Sequence, residues 1–177
     1  MNGLWKHGRW LLLGVLVCLL PIWWWWWYCG PTTTLLVVRH ADRQGNADAL
    51  NPAGVTRAQE LVHVGTKSGV AAVYHSNTER ARLTAEPLAG ALGLTPVVYP
   101  ANDAAALVST IFADHRGEKV FVVGHSNTVP DIIEAAGGPV LPDIDTTEFD
   151  NLFVVTACRC RRGPVATINL QYGAVSP

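Results

Sequence analysis

Three apolar runs in this chain end in polar residues that a core does not need. "LLVVRH" ends in Arg39 and His40, "VAAVYHS" in His75 and Ser76, and "VFVVGHS" in His125 and Ser126. An arginine at the end of a buried strand wants an anion for its fixed fork of donors. A second arginine, Arg80, lies four residues past Ser76, in the first turn of a following helix pattern. Two guanidinium groups in fork geometry hold a phosphate, and the helix starts after Ser76 and Gly124 add backbone N–H donors. A neutral histidine held against a bound phosphate can attack phosphorus and become a phosphohistidine. A second histidine can meet the equatorial oxygens, where charge spreads in the transition state, and a carboxyl group can protonate the leaving oxygen.

Three motifs in order carry a family resemblance: "VVRHAD", then "HSNTERARLTAEPLA" with Ser76, Arg80, Thr84 and Ala85, then "VVGHSNT" with Gly124 and His125. Together they resemble the histidine phosphatase superfamily, also called phosphoglycerate mutase-like. The resemblance implies that His40 is the phosphorylated nucleophile and that Arg39, Arg80 and His125 form the phosphate pocket. It also implies that Asn46, six residues after His40, occupies a place where some members put a phosphate-contacting residue. Ala41 stands where glycine is commoner, as in the smaller branch of the family. Asp103 is the best match for the general acid, with Asp42, Glu148 and Asp150 as rivals; small members with no identifiable acid act on good leaving groups. The long insertions of true mutases are missing, which favours hydrolysis over phosphoryl transfer. No carboxylate cluster is placed to hold magnesium, so the expected mechanism uses no metal and no other cofactor.

Rival readings come from other classes. "GHSNT" resembles a nucleophile elbow with Ser126 as the nucleophile of an acyl hydrolase, but Thr128 replaces the last glycine of Gly-x-Ser-x-Gly. A catalytically inactive, membrane-tethered phosphate-binding module is the other rival, and it has no need of all four of Arg39, His40, Arg80 and His125. His75 reads as structural or as part of the rim. His63 and His115 read as solvated on helix patterns, and Arg57 and Arg82 as surface charges.

The elements that must position these residues alternate. Strand patterns at Leu35–Arg39, "VAAVYHS", "TPVVYP" and "EKVFVVGHS" alternate with helix patterns. The first helix is capped by Asn51 with Pro52 at its first position. The second runs to Gly93, with Pro87 expected to kink or break it. The third is capped by Asn102 or Asp103, and the fourth opens at "NTVPDIIEAAGG". "NLFVVTAC" and "VATINLQYG" are late strands, expected to pair. This predicts an α/β fold: a three-layer α/β/α sandwich around a mostly parallel central sheet, with the site at the carboxyl ends of the strands.

All seven tryptophans lie at or before Trp27, so the chain has two regions with different solvents. Lys6, His7 and Arg9 precede an uncharged run of 19 residues from Trp10 to Tyr28, close to the ~20 that span a bilayer as a helix. The flanking cations place that end in the cytoplasm, and Trp23 to Trp27 suit the outer headgroup level. No Ala-x-Ala-like site follows, which favours an uncleaved anchor. The expected layout is a tail at 1–9, a transmembrane signal-anchor at 10–29, a linker at 30–34 and a histidine phosphatase-like domain at 35–177, displayed on the outer side of the membrane. Beyond residue 31, 13 Lys and Arg less Lys6 and Arg9 face 14 Asp and Glu, a net of −3. That argues against nucleic acid as a partner. The expected partners are the membrane and a phosphorylated small molecule, envelope glycan or phosphoprotein. Cys158 and Cys160, two apart on one strand face, read as structural rather than as a disulfide.

Overall fold

"TTLLVVR" is apolar and β-branched, which suits a strand buried on both faces. It forms β1 (Thr33–Arg39), with six of its seven residues buried. In the computed structural model, which describes residue 20, residues 31–158 and residues 165–176, β1 lies inside a six-stranded sheet. The other strands are β2 (Val70–Ser76), β3 (Val97–Tyr99), β4 (Lys119–Gly124), β5 (Asn151–Ala157) and β6 (Ala166–Gln171), in the order β3-β2-β4-β1-β5-β6. The first four are parallel; β5 runs antiparallel to both of its neighbours, β1 and β6. The sheet is therefore mixed, where a mostly parallel one was expected, with β5 the reversed strand. Eight residues separate β5 from β6, too few for the crossover that parallel pairing needs, so those two pair antiparallel.

Among the described residues four helices cover the sheet: α1 (Pro52–Gly65), α2 (Glu79–Leu92), α3 (Ala104–Asp114) and α4 (Thr128–Ala135). Alternation along β1 sends Leu36 and Val38 to a core with Leu61 of α1 and Ala81, Ala85 and Leu88 of α2. Leu35 and Val37 face Leu107, Val108 and Ile111 of α3 and Ile132 and Ile133 of α4. The three layers follow from this period of two. Asn51 caps α1 by accepting from the Gly54 N–H, ahead of Pro52. The α2 helix runs through Pro87 as one element, against the expected break. Ala85, Leu88 and Ala89 on both sides of Pro87 are buried, and their packing outweighs the ~3 kcal/mol of an interior proline.

Among the described residues no helix is long and apolar enough to cross a membrane. The expected span at 10–29 lies outside the described residues except for Leu20. Cys158 is half-buried just past β5, and Cys160 lies outside the described residues.

Candidate active site

Strands β2, β4 and β1 are neighbours in the sheet and parallel, so their three polar ends meet at one edge. The chain ties those ends together. The His40 N–H donates to the Gly124 carbonyl at 2.9 Å. The Thr84 hydroxyl donates to the Arg80 carbonyl at 2.7 Å and accepts from the Ala41 N–H at 2.9 Å, which clips the end of β1 to α2. Gly124 is required by closeness: a Cβ there would meet the Thr128 hydroxyl at 2.9 Å. That same hydroxyl accepts from the His125 N–H at 2.8 Å.

The result is an open cleft of ≈ 370 Å³ lined by Arg39, His40, Arg80 and His125, with Arg43, Thr78 and the loops at 101–102 and 126–128. The His40 and His125 rings lie edge to face, 5.3 Å apart. His40 Nδ1 donates to the Ala41 carbonyl at 2.8 Å, which leaves the Nε2 lone pair as the free nitrogen. Burial, then the charges of Arg39 and Arg80, hold the His40 imidazolium pKa down at about 3. The ring is neutral at physiological pH. His125 is lowered to about 4, by burial and then by Arg80 and Arg39. Its Nδ1 accepts from Arg80 Nη2 at 3.3 Å, so its Nε2–H donates to the buried Ser76 hydroxyl at 2.7 Å.

Arg39 is almost wholly buried. Its Nη1 donates to the Asp145 and Glu148 carbonyls at 2.7 and 2.8 Å, and its guanidinium lies 4.1 Å over the Phe149 ring. Arg80 Nη1 pairs with Asp48 at 2.9 Å. The Nε–H groups of both arginines are buried without a partner, which leaves donors for an anion.

The expected site residues divide. Arg39, His40, Arg80 and His125 come together. Asn46 is exposed on the loop after β1 and Asp103 is exposed at the start of α3; neither lines the cleft. The Asp103 carboxylate accepts from the Ala106 N–H as the cap of α3, and it is Asn102 that reaches the lining. The rival carboxylates are engaged elsewhere. Asp42 pairs with Arg57 at 2.6 Å, Glu148 accepts from Asn151, and buried Asp150 accepts from Gln171 and the Ser176 N–H. Among the described residues no aspartate or glutamate lines the cleft. Ser126 lines it, and among the described residues no hydrogen bond joins its hydroxyl to an imidazole. His75 is buried behind the site, with its Nδ1 on the Ser76 carbonyl at 2.7 Å.

Two surface readings need correction. Arg57 is 5% exposed and is held by Asp42 and by the carbonyls of Tyr172 and Ala174. His115 is half-buried, between the Tyr74 hydroxyl and the Glu118 carboxylate. Arg43, Thr78 and Asn127 are lining residues that the motifs did not single out. For Arg43 the signal was there: a cation three residues past His40, on the side where an anion was expected. Asn127 stands at the start of α4 and makes no side-chain capping bond, and nothing in its sequence context marks that.

A model of the histidine phosphatase superfamily (branch 1) matches residues 35–102, a stretch that holds His40 and Arg80 and stops before His125. No curated protein matches the chain by sequence. Among solved structures, the protein histidine phosphatase SixA complexed with tungstate is 19% identical with a TM-score of 0.63, over 78% of this chain and 96% of that one. Mycobacterial glucosyl-3-phosphoglycerate phosphatase is 18% identical with a TM-score of 0.56, over 71% and 90%. A protein titled mycobacterial hydrolase 1 is 17% identical with a TM-score of 0.59, over 79% and 99%. At these identities the likeness to the solved structures is one of fold. The family match over this stretch and the shared fold agree with the resemblance carried by the three motifs.

Proposed function

We propose that this chain is a phosphatase that works through a phosphohistidine on His40, without a metal, and that the N-terminal helix holds it on the outer face of a membrane. One observation carries the catalytic reading. A neutral imidazole with Nδ1 tied to the Ala41 carbonyl shares a cleft with His125 and with two arginines whose buried Nε–H groups lack partners. Arg39 and Arg80 hold the phosphoryl oxygens, and His40 Nε2 attacks phosphorus as the bond to the leaving group breaks. Water then attacks the phosphohistidine, releasing phosphate and restoring the neutral ring. The Ser76 hydroxyl can donate as well as accept. With that hydroxyl donating to Nε2, exchange with solvent can place the His125 proton on Nδ1, and Arg80 Nη2 then turns from Nδ1 to the phosphoryl group.

Among the described residues no carboxyl group lines the cleft, so in this reading the leaving group departs without a proton from the protein. That favours leaving groups that need no proton from the protein: phenolates, carboxylates, and an imidazole that already carries its own. One structural neighbour is titled a protein histidine phosphatase, which fits such a substrate. The anchoring rests on the uncharged run and its flanking cations alone.

The test is hydrolysis of 4-nitrophenyl phosphate by the purified full chain and by His40→Ala. The wild type should turn over and form an acid-labile phosphoenzyme, and the variant should do neither while keeping its fold. A variant that kept most of the rate would sink the nucleophile assignment. EDTA should leave the wild-type rate unchanged; loss restored by a divalent ion would contradict the metal-free mechanism.

A further inference from the structure

Between α4 and β5 the chain is irregular, yet it grips the arginine at the end of β1. The Ile144 N–H donates to the Ser126 carbonyl at 2.9 Å, which ties this loop to the rim of the cleft. The Asp145 carboxylate turns back on the Thr147 N–H and hydroxyl. The Asp145 and Glu148 carbonyls both accept from Arg39 Nη1, and the Phe149 ring lies against the guanidinium. Among the described residues no carboxylate forms an ion pair with Arg39. Two carbonyls and a ring thus fix the group without neutralising it, and its Nε–H stays buried and unpartnered. A carboxylate in their place would compete with any anion the site is to hold.

The loop is held in turn by residues 172–176. The Phe149 N–H donates to Ser176 Oγ at 2.8 Å, and the Ser176 N–H donates to the buried Asp150 carboxylate at 3.3 Å. The Tyr172 N–H donates to the Asp150 carbonyl at 3.0 Å. On its other side the segment gives the Tyr172 and Ala174 carbonyls to Arg57, whose partner Asp42 lies two residues past His40. Gly173 makes the turn between those carbonyls with a φ of +69°, open to glycine at no steric cost. Tyr172 is buried, but the side chains of Ala174 and Val175 are exposed. Past Tyr172, therefore, hydrogen bonds rather than apolar packing keep the segment in place. They run to the two stretches that flank Arg39: Asp42 beyond it and Phe149 over it.

We propose that residues 172–176 are a positioning strap for the phosphate-binding arginine. Ser176 fixes Phe149, and Phe149 fixes the Arg39 guanidinium with its unpartnered Nε–H left for the anion. Ser176 touches no substrate; it acts through the loop. An arginine already held in one orientation loses less side-chain freedom when an anion arrives. The role of Arg39 rests on the phosphatase reading above, and the strap adds that phosphoryl affinity is set in part from outside the cleft.

The test is calorimetry of inorganic phosphate binding to the full chain in detergent, beside melting temperature and the kinetics of 4-nitrophenyl phosphate. Ser176→Ala takes away the acceptor of the Phe149 N–H, and Phe149→Leu keeps apolar bulk without a π face. Each should weaken phosphate binding about fivefold, the size of one hydrogen bond or cation–π contact, and should raise KM more than it lowers kcat. Ser176→Thr and Phe149→Tyr, which keep the hydroxyl and the ring, should bind phosphate within about twofold of wild type. Arg39→Lys leaves a point charge without the planar fork, so adding Ser176→Ala to it should cost less than about twofold. The full loss on that background would place the effect elsewhere in the cleft and overturn the strap. So would a Ser176→Ala chain that melts lower yet binds phosphate as the wild type does, since a tie that only stabilises would behave that way. A wild type that binds no phosphate would overturn strap and phosphatase reading together. Weaker binding in both variants of a chain that hydrolyses no phosphomonoester would uphold the strap and sink the phosphatase reading alone.

Discussion

Asp42 is the residue on which structure and motif disagree most sharply, and Asp42→Asn separates the two. Beside the nucleophile it looks like a proton donor. In the fold it is half of a buried pair: Arg57 Nε meets Oδ2 at 2.6 Å and Nη2 meets Oδ1 at 3.4 Å, with side chains 5% and 14% exposed. Arg57 cannot swing out to water, because its Nη1 also donates to the Tyr172 and Ala174 carbonyls at 3.2 and 2.7 Å. Removing one partner of a buried pair costs roughly 3–5 kcal/mol. The amide retains an oxygen that can accept one bond, so the lower end applies, about 3 kcal/mol. At ~2–4 °C per kcal/mol for a domain of this size, the melting temperature should fall by roughly 6–12 °C. In a double-mutant cycle with Arg57→Met, the paired change should cost less than the two singles together, by roughly 2–3 kcal/mol, because the second substitution removes the orphaned charge. Turnover of aryl and alkyl phosphates should fall by similar factors. A melting temperature within about 1 °C of wild type, with selective slowing of the alkyl phosphate, would refute the reasoning and make Asp42 the acid.

The pH dependence has a worked sign. His40 and His125 are held at about 3 and about 4 in the folded chain, against ~6.5 unfolded. Below pH ~6.5 the unfolded chain takes up protons on these rings and the folded chain does not, so stability present above pH 6.5 drains as pH falls toward 4. Urea titrations at several pH values should show this slope, and His40→Gln should flatten it; an unaltered slope would remove His40 from the account. The same shifts keep any acid limb of kcat/KM from these rings well below pH 6. Asp103→Ala removes the cap of α3 and should cost ~1 kcal/mol, with equal effect on good and poor leaving groups; selective slowing of poor ones would restore it as the acid. Protease added to intact spheroplasts should digest the domain, and protection until lysis would reverse the proposed orientation.

The cleft was legible because Arg39, His40 and His125 sit where strand patterns end and Arg80 in the helix turn just after one, and strand ends at the carboxyl edge of a parallel sheet share one place. What stayed hidden depends on contacts remote in sequence. Arg57 reads as a surface cation because its partners, Asp42 and the carbonyls of Tyr172 and Ala174, are neighbours only after folding. Asp103 and Asn102 are adjacent and both suit a cap; the actual start of α3 decides which side chain caps and which lines the cleft. Pro87 argued for a break, but helix propensity is a local quantity and the packing of Ala85, Leu88 and Ala89 is not. The antiparallel pairing of β5 with β6 was open to inference from the short gap between them, since a parallel return has no room there.

The place of β1 in the sheet bears on how this chain folds. Leu35 pairs with Val120 on one side and with Val155 on the other. Every backbone partner of the strand that carries Arg39 and His40 is therefore synthesised long after it. Contacts of such high sequence separation require large loops to close first, which slows folding. Until β4 and β5 arrive, "TTLLVVR" is an unpaired strand, apolar or uncharged up to Arg39, with two open edges, the kind of segment that associates with copies of itself. The phosphate cleft is thus assembled late, and the chain's most aggregation-prone interval is the one in which its future nucleophile has no neighbours.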